Sequence, residues 1–227
     1  MAAKADRVMD LLSDQVGPYT GLREIKACRL LELRPLVIER LAGLKTIRDA
    51  GQRIRTHGDF HLGQVLDVEG DFFIIDFEGE PARPLAERRA LQSPLRDVAG
   101  MLRSLSYAAQ SGLRQFLRSR PEMAALALDP WATGWERVMA DVFLQGYFGV
   151  MGLEPLLPKS LDTRQALLDV FVLDKLVYEL GYELGNRPDW VEIPLDALIE
   201  IVDPGWTPPE LGPGDGNGNG LSGAGHA

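Results

Sequence analysis

The chain has 227 residues, 45% of them hydrophobic and 25% charged, with a formal net charge of −9, an ordinary globular balance with length for one or two domains and a real core. The negative charge argues against nucleic acid or an anionic membrane surface as the main partner, and no uninterrupted apolar run reaches the roughly 18 residues of a membrane span. Cys28 is the only cysteine, so no intrachain disulfide or cysteine metal site is possible; with an N-terminus that lacks an apolar signal core, a cytoplasmic protein is expected.

In residues 4–16, Val8, Leu11, Leu12 and Val16 recur at helical spacing, and Gly17-Pro18 ends the run. From Leu22 to Ala50 the pattern is helical again, and Pro35 either kinks it or starts a second helix. Residues 1–52 are therefore expected to be packing helices, closed by Gly51.

The stretch Arg53 to Leu66, answered by Phe72-Phe73-Ile74-Ile75-Asp76-Phe77-Glu78, reads as strand, polar loop, strand, turn and strand, with the turn at Glu69-Gly70-Asp71. Asp59 and Gln64 have the spacing Asp-x-x-x-x-amide, and Asp76 follows one hairpin later. Phosphoryl transfer in protein-kinase-like sites uses this layout: one carboxylate takes the acceptor hydroxyl proton, while an amide oxygen and a second carboxylate hold Mg²⁺. A hard cation requires oxygen ligands of this kind.

Glu80 to Leu91 is polar and proline-marked, a loop or a short surface helix. Ser93-Pro94 is a helix entry, after which Val98, Met101, Leu102, Leu105 and Ala109 share one side. Asp97 sits in the first turn, where the helix dipole alone favours a carboxylate. Arg83, Arg88, Arg89 and Arg96 make this the most basic segment; surface pairing is the default for each, and a phosphate contact is the alternative for Arg83 or Arg96. Trp135, Val138, Met139, Val142, Phe143 and Tyr147 form one apolar stripe, read as core. The longest helix is expected from Asp162 to Glu183, stopped by Gly185-Asn186 and Pro188. On it Lys175, Tyr178 and Tyr182 share a face, and Lys175 and Glu179 are spaced for an i,i+4 pair. Pro194 starts a short last helix, and 207–227 reads as a disordered Gly/Pro/Asn/Ser-rich tail.

His57-Gly58-Asp59-Phe60-His61-Leu62-Gly63-Gln64-Val65-Leu66 resembles the catalytic loop of the aminoglycoside-phosphotransferase-like kinases, and within them the maltokinase branch, which also occurs fused to trehalose synthase. Ile75 to Pro81, Ser93 to Ser104 and Tyr182 to Trp190 carry the narrower likeness, which runs from about Ile54 to about Val202. Antibiotic kinases of the wider group usually have Asn where this chain has Gln64; the maltokinase branch has Gln. The resemblance implies a mostly helical, protein-kinase-like C-terminal lobe over 53–206 with a small β-hairpin, using ATP and Mg²⁺. It implies Asp59 as the base, Gln64 and Asp76 as metal ligands, and His57 and Asp97 as braces of the loop. Acceptor contacts would fall to His61, Glu78, Arg96, Lys175, Tyr178 and Tyr182, the last three as a sugar-binding wall. The implied reaction turns maltose into maltose 1-phosphate.

A kinase of this type also needs a β-rich N-lobe with a phosphate-covering loop and a lysine. The early glycine run Gly17 to Gly21 lies between helices, and Lys4, Lys26 and Lys45 sit in helical patterns. The chain therefore reads as a C-terminal lobe whose N-lobe is absent, encoded upstream or on a separate chain, and which is inactive alone. The alternatives are a non-catalytic lobe that binds sugar or a partner lobe, and a kinase of the same fold acting on an aminoglycoside or another small alcohol.

Overall fold

The computed structural model describes residues 1–81 and 83–209. Most of the predicted tail, with His226, lies outside the described residues. The elements are helices α1 (Ala2–Gln15), α2 (Gly21–Glu32) and α3 (Arg34–Ala42), strands β1 (Val65–Val68) and β2 (Asp71–Ile74), then helices α4 (Leu85–Arg89), α5 (Leu95–Ser119), α6 (Asp129–Phe148), α7 (Leu161–Asn186) and α8 (Glu192–Val202). The fold is mostly helical with one small antiparallel sheet. No helix among the described residues is long and apolar enough to cross a membrane.

Pro35 stands in the first turn of α3, where its missing N–H is no loss; Leu33 closes α2 by donating its N–H to the Arg29 carbonyl at 3.1 Å. The two strands pair in the register Val65–Ile74 to Val68–Asp71. Their two-residue turn has positive φ at both Glu69 (55°) and Gly70 (91°), a combination that matches the twist of a hairpin. The expected strand before the loop is reduced to one bridge, Ile54 with Gln92.

The chain divides into two compact units. One comprises Met1 and Glu39–Leu176; the other comprises Ala2–Ile38 and the described residues from Val177 onward. The first has a core of Leu95, Val98, Ala99, Leu157, Leu167, Leu168 and Phe171, with Leu102, Phe143, Leu144, Tyr147 and Phe148 packed against it. The single apolar stripe expected on α6 is therefore split: Phe143 and Tyr147 turn to the core, while Trp135, Val138 and Val142 are exposed. The six positions cover too wide an arc for one face.

In the second unit α2 packs on α8; Lys26 pairs with Asp196 at 2.7 Å and Arg23 with Glu192 at 3.2 Å, and Arg29 pairs with Asp203, just past the end of α8, at 2.6 Å. Arg34 pairs with Asp6 and Asp10 of α1 at 2.5 and 2.8 Å. The longest helix ends at Asn186, within the expected stop Gly185-Asn186 and three residues beyond Glu183. Asn186 Nδ2 donates to the Tyr182 carbonyl at 2.8 Å, so Asn186 completes the last turn and Pro188 ends the helix.

Candidate active site

The loop between the Ile54 bridge and β1 is fastened from two directions. Asp97, in the first turn of α5, accepts the His57 N–H at 2.7 Å on one oxygen and the Gly58 N–H at 2.9 Å on the other. Burial pushes the Asp97 carboxyl above the usual carboxylate range, against the pull of these two donors. From the other side the His57 imidazole, itself buried, donates from Nε2 to the Ile75 carbonyl at 2.7 Å. Since a carbonyl only accepts, the proton sits on Nε2, leaving Nδ1 to accept the Asp59 N–H at 3.3 Å. The ring lies against Phe60 and Phe77, at centroid distances of 5.6 and 4.8 Å.

Asp59 is thereby presented with a side chain only 16% exposed. Lys175 Nζ of α7 stands 3.5 Å from its Oδ1, and His61 Nε2 stands 3.8 Å from its Oδ2. His61 Nδ1 accepts the Gly63 N–H at 3.0 Å, which orients the ring. Lys175 also reaches Glu80, at 3.7 Å, and so holds two carboxylates at one ammonium.

Asp59 opens onto a cavity whose lining also includes Glu80, Arg83, Arg96, Asp174 and Lys175. Arg96 lies 3.6 Å from Asp174 and over the Phe171 ring at 4.9 Å, and burial lowers its pKa. Arg83 stands 4.0 Å from the same carboxylate. The Nε atoms of Arg83 and Arg88, both lining the cavity, are buried without a hydrogen-bond partner. Unmet donors of this kind suit a ligand rich in oxygen.

Gln64 and Asp76 meet at the base of the hairpin, where Gln64 Nε2 lies 3.2 Å from Asp76 Oδ2. Asp76 has a positive φ of 60°, an uncommon backbone state that aspartate tolerates and that gathers at functional sites. No group of three or more His, Cys, Asp or Glu side chains suited to a metal occurs among the described residues. One carboxylate and one amide oxygen nonetheless fit Mg²⁺, which keeps several waters and takes other oxygens from phosphates.

The cavity thus brings Asp59, Arg96, Asp97 and Lys175 together; His61 and Glu78 do not line it. Glu78 is exposed, and its carbonyl accepts from Arg88 at 3.3 Å. Tyr178 and Tyr182 belong to the second unit, their rings stacked at 6.5 Å, with Lys4 over the first at 4.3 Å and Arg187 over the second at 5.3 Å. Asp174 and Glu80 escaped the sequence reading. Asp174 adjoins Lys175, and neighbours on a helix point in different directions, so no periodic signal marks the pair.

A helical body with this loop, hairpin and carboxylate pair defines a kinase-like architecture. No family model matches the chain. It is similar to glucosamine kinase of Streptacidiphilus jiangxiensis, with 28% identity over 207 residues, 89% of this chain and 43% of the relative. It is also similar to glucosamine kinase of Mycolicibacterium smegmatis, with 33% identity over 150 residues, 66% of this chain and 34% of the relative. Among solved structures, glucosamine kinase in crystal form B matches with a TM-score of 0.66 at 25% identity, covering 88% of this chain and 45% of that one. A glucosamine kinase in complex with glucosamine, ADP and inorganic phosphate matches with a TM-score of 0.65 at 25% identity, over 88% and 47%. The chain spans less than half the length of the curated relatives it matches. The likeness is to sugar kinases, as the loop motif leads one to expect, but these relatives carry the name glucosamine kinase rather than maltokinase.

Proposed function

We propose that this chain is the acceptor-and-metal half of an ATP-dependent sugar kinase, and that its acceptor is an amino sugar of the glucosamine kind. The observation that carries the reading is the joint fastening of the loop. Asp97 holds its backbone, and His57 ties Asp59 to the residue before Asp76. A base and a metal carboxylate are thereby kept at a fixed separation, as phosphoryl transfer requires.

In this reading Asp59 accepts the proton of the acceptor hydroxyl as that oxygen bonds to the γ-phosphorus of ATP and the bond to the β-phosphate oxygen breaks, releasing ADP. Lys175, 3.5 Å away, holds Asp59 in place, while Arg83 and Arg88 offer donors to acceptor or product oxygens. Gln64 and Asp76 would hold Mg²⁺, which when bound neutralises charge on the phosphates. An amino sugar is preferred to maltose because the similar proteins are glucosamine kinases. Maltose, on which the resemblance of the loop bears, is the second reading.

The apolar residues Leu66, Val68, Phe72, Phe73 and Ile74 of the hairpin are exposed beside Gln64 and Asp76, and β1 and β2 form the only sheet among the described residues. A second lobe closing over this surface fits the proposal, and the 227 residues by themselves should bind acceptor but not turn over. Saturation-transfer NMR with glucosamine and with maltose tests the acceptor. Signal from glucosamine, weakened by Asp59→Ala, is expected. Signal from maltose alone would favour the second reading, and silence from both would refute the acceptor site.

A further inference from the structure

Helix α6 carries apolar residues on two opposite sides. Its inner side packs through Phe143, Leu144, Tyr147 and Phe148. On its outer side Trp131, Trp135, Val138 and Val142 are uncovered, Trp131 to 78%. Their spacing of four, three and four is that of one seam along a helix meeting another. Gly134 and Gly146 lie on the same side with nothing within 4 Å of a Cβ position, so a second helix has room to come close. Beside the seam runs a groove between α5 and α6, floored by Ala108, Ala109, Gly112 and Ala132 and walled by Phe116 and Trp131.

We propose that this face is a two-fold interface between two copies of the chain, with Trp131 of each copy packed on the small-residue floor of the other. Three features select a second copy as the occupant. A projecting indole and a shallow groove occur side by side on one surface, which is the self-complementarity that a two-fold contact demands. The exposed charged residues of α6 are Asp129, Arg137 and Asp141, of both signs and none at a seam position, so two chains of net charge −9 can meet there with few opposing like charges. The area is also close to what is needed. With about 150–250 Å² for an aromatic side chain, the uncovered parts of Trp131, Trp135, Val138, Val142 and Phe116 come to on the order of 550 Å² per copy. Two copies approach the roughly 1,200 Å² at which specific interfaces begin, and a patch of that size matches the largest that soluble monomers usually leave open.

Sedimentation velocity of the full chain over a dilution series tests the interface. A species of twice 25.0 kDa is expected at high micromolar concentration. Trp131→Glu, at an exposed position, and Gly112→Phe, which fills the groove, should each weaken association by roughly 30-fold, the loss of one buried aromatic anchor. Circular dichroism shows that each variant is folded. A chain that stays monomeric throughout overturns the proposal, as does a dimer that neither substitution weakens or one weakened only by Leu66→Glu on the hairpin.

Discussion

Gly100 lies in α5 where the helix passes the Asp59 loop, and a Cβ there would stand 2.6 Å from the Phe60 carbonyl oxygen. Ordinary contact begins at 3.4 Å, so Gly100→Ala must open the helix from the loop by about 0.8 Å. The obstacle is backbone, which cannot swing away as a side chain would. Overpacking of this kind costs about 1–3 kcal/mol, offset by the roughly 0.5–1 kcal/mol that alanine gains over glycine inside a helix. The net loss is on the order of 0–2.5 kcal/mol, and against a glycine-to-alanine change in the same helix without the clash it is the full 1–3 kcal/mol, or roughly 2–12 °C in Tm for a chain of this size. Gly112→Ala is the matched control, because it lies in the same helix and its Cβ would meet nothing within 4 Å. Differential scanning calorimetry at low micromolar concentration compares the two. The control should melt at or slightly above the parent and Gly100→Ala clearly below it. Equal Tm values for the two variants would refute the close approach of α5 to Phe60.

Asp76→Ala should weaken Mg²⁺ binding at the hairpin base, read by paramagnetic broadening with Mn²⁺ as the probe, whereas Asp59→Ala should leave it unchanged. Gln64→Asn should keep more of that binding than Gln64→Leu, and equal losses would assign Gln64 to packing. A pH test follows from Asp97. Its folded-state pKa lies above the ordinary value because of burial, so its ionised form is disfavoured by folding. The stability it contributes is present below the unfolded pKa and is lost as pH rises through the folded one. Relative to Asp97→Asn, the parent should therefore gain stability as pH falls through that window, and urea titrations in which the difference stays flat would contradict the burial account.

What was legible in the sequence was local. Asp59, Gln64 and Asp76 announce themselves because a loop and a tight hairpin fix their separation within one short stretch, and Glu69-Gly70 supplies the positive φ that the turn needs. The helices were legible for the same reason, since α5 carries its core residues Val98, Met101 and Leu105 at helical spacing. What the sequence hid depended on partners remote along the chain. Lys175 sits beside an i+4 glutamate and invites that pairing, yet it reaches Asp59 across 116 positions. Asp174 and Glu80 acquire meaning only where Arg96 and Lys175 come to meet them. On α6, apolar character alone did not say which residues face the core, because both sides of the helix are apolar.

The double hydrogen bond of His57 has a mechanical consequence. One ring spans from the Asp59 N–H to the Ile75 carbonyl, so the separation of Asp59 from Asp76 is set through the imidazole rather than along the sixteen intervening residues. The hairpin beyond its base pair, where the Ile75 N–H donates to the Gln64 carbonyl at 3.0 Å, is a side branch. Its tip at Glu69-Gly70 is consequently free to lengthen, shorten or change sequence over evolution, altering what the hairpin touches, while the working distance stays clamped by a rigid five-membered gauge.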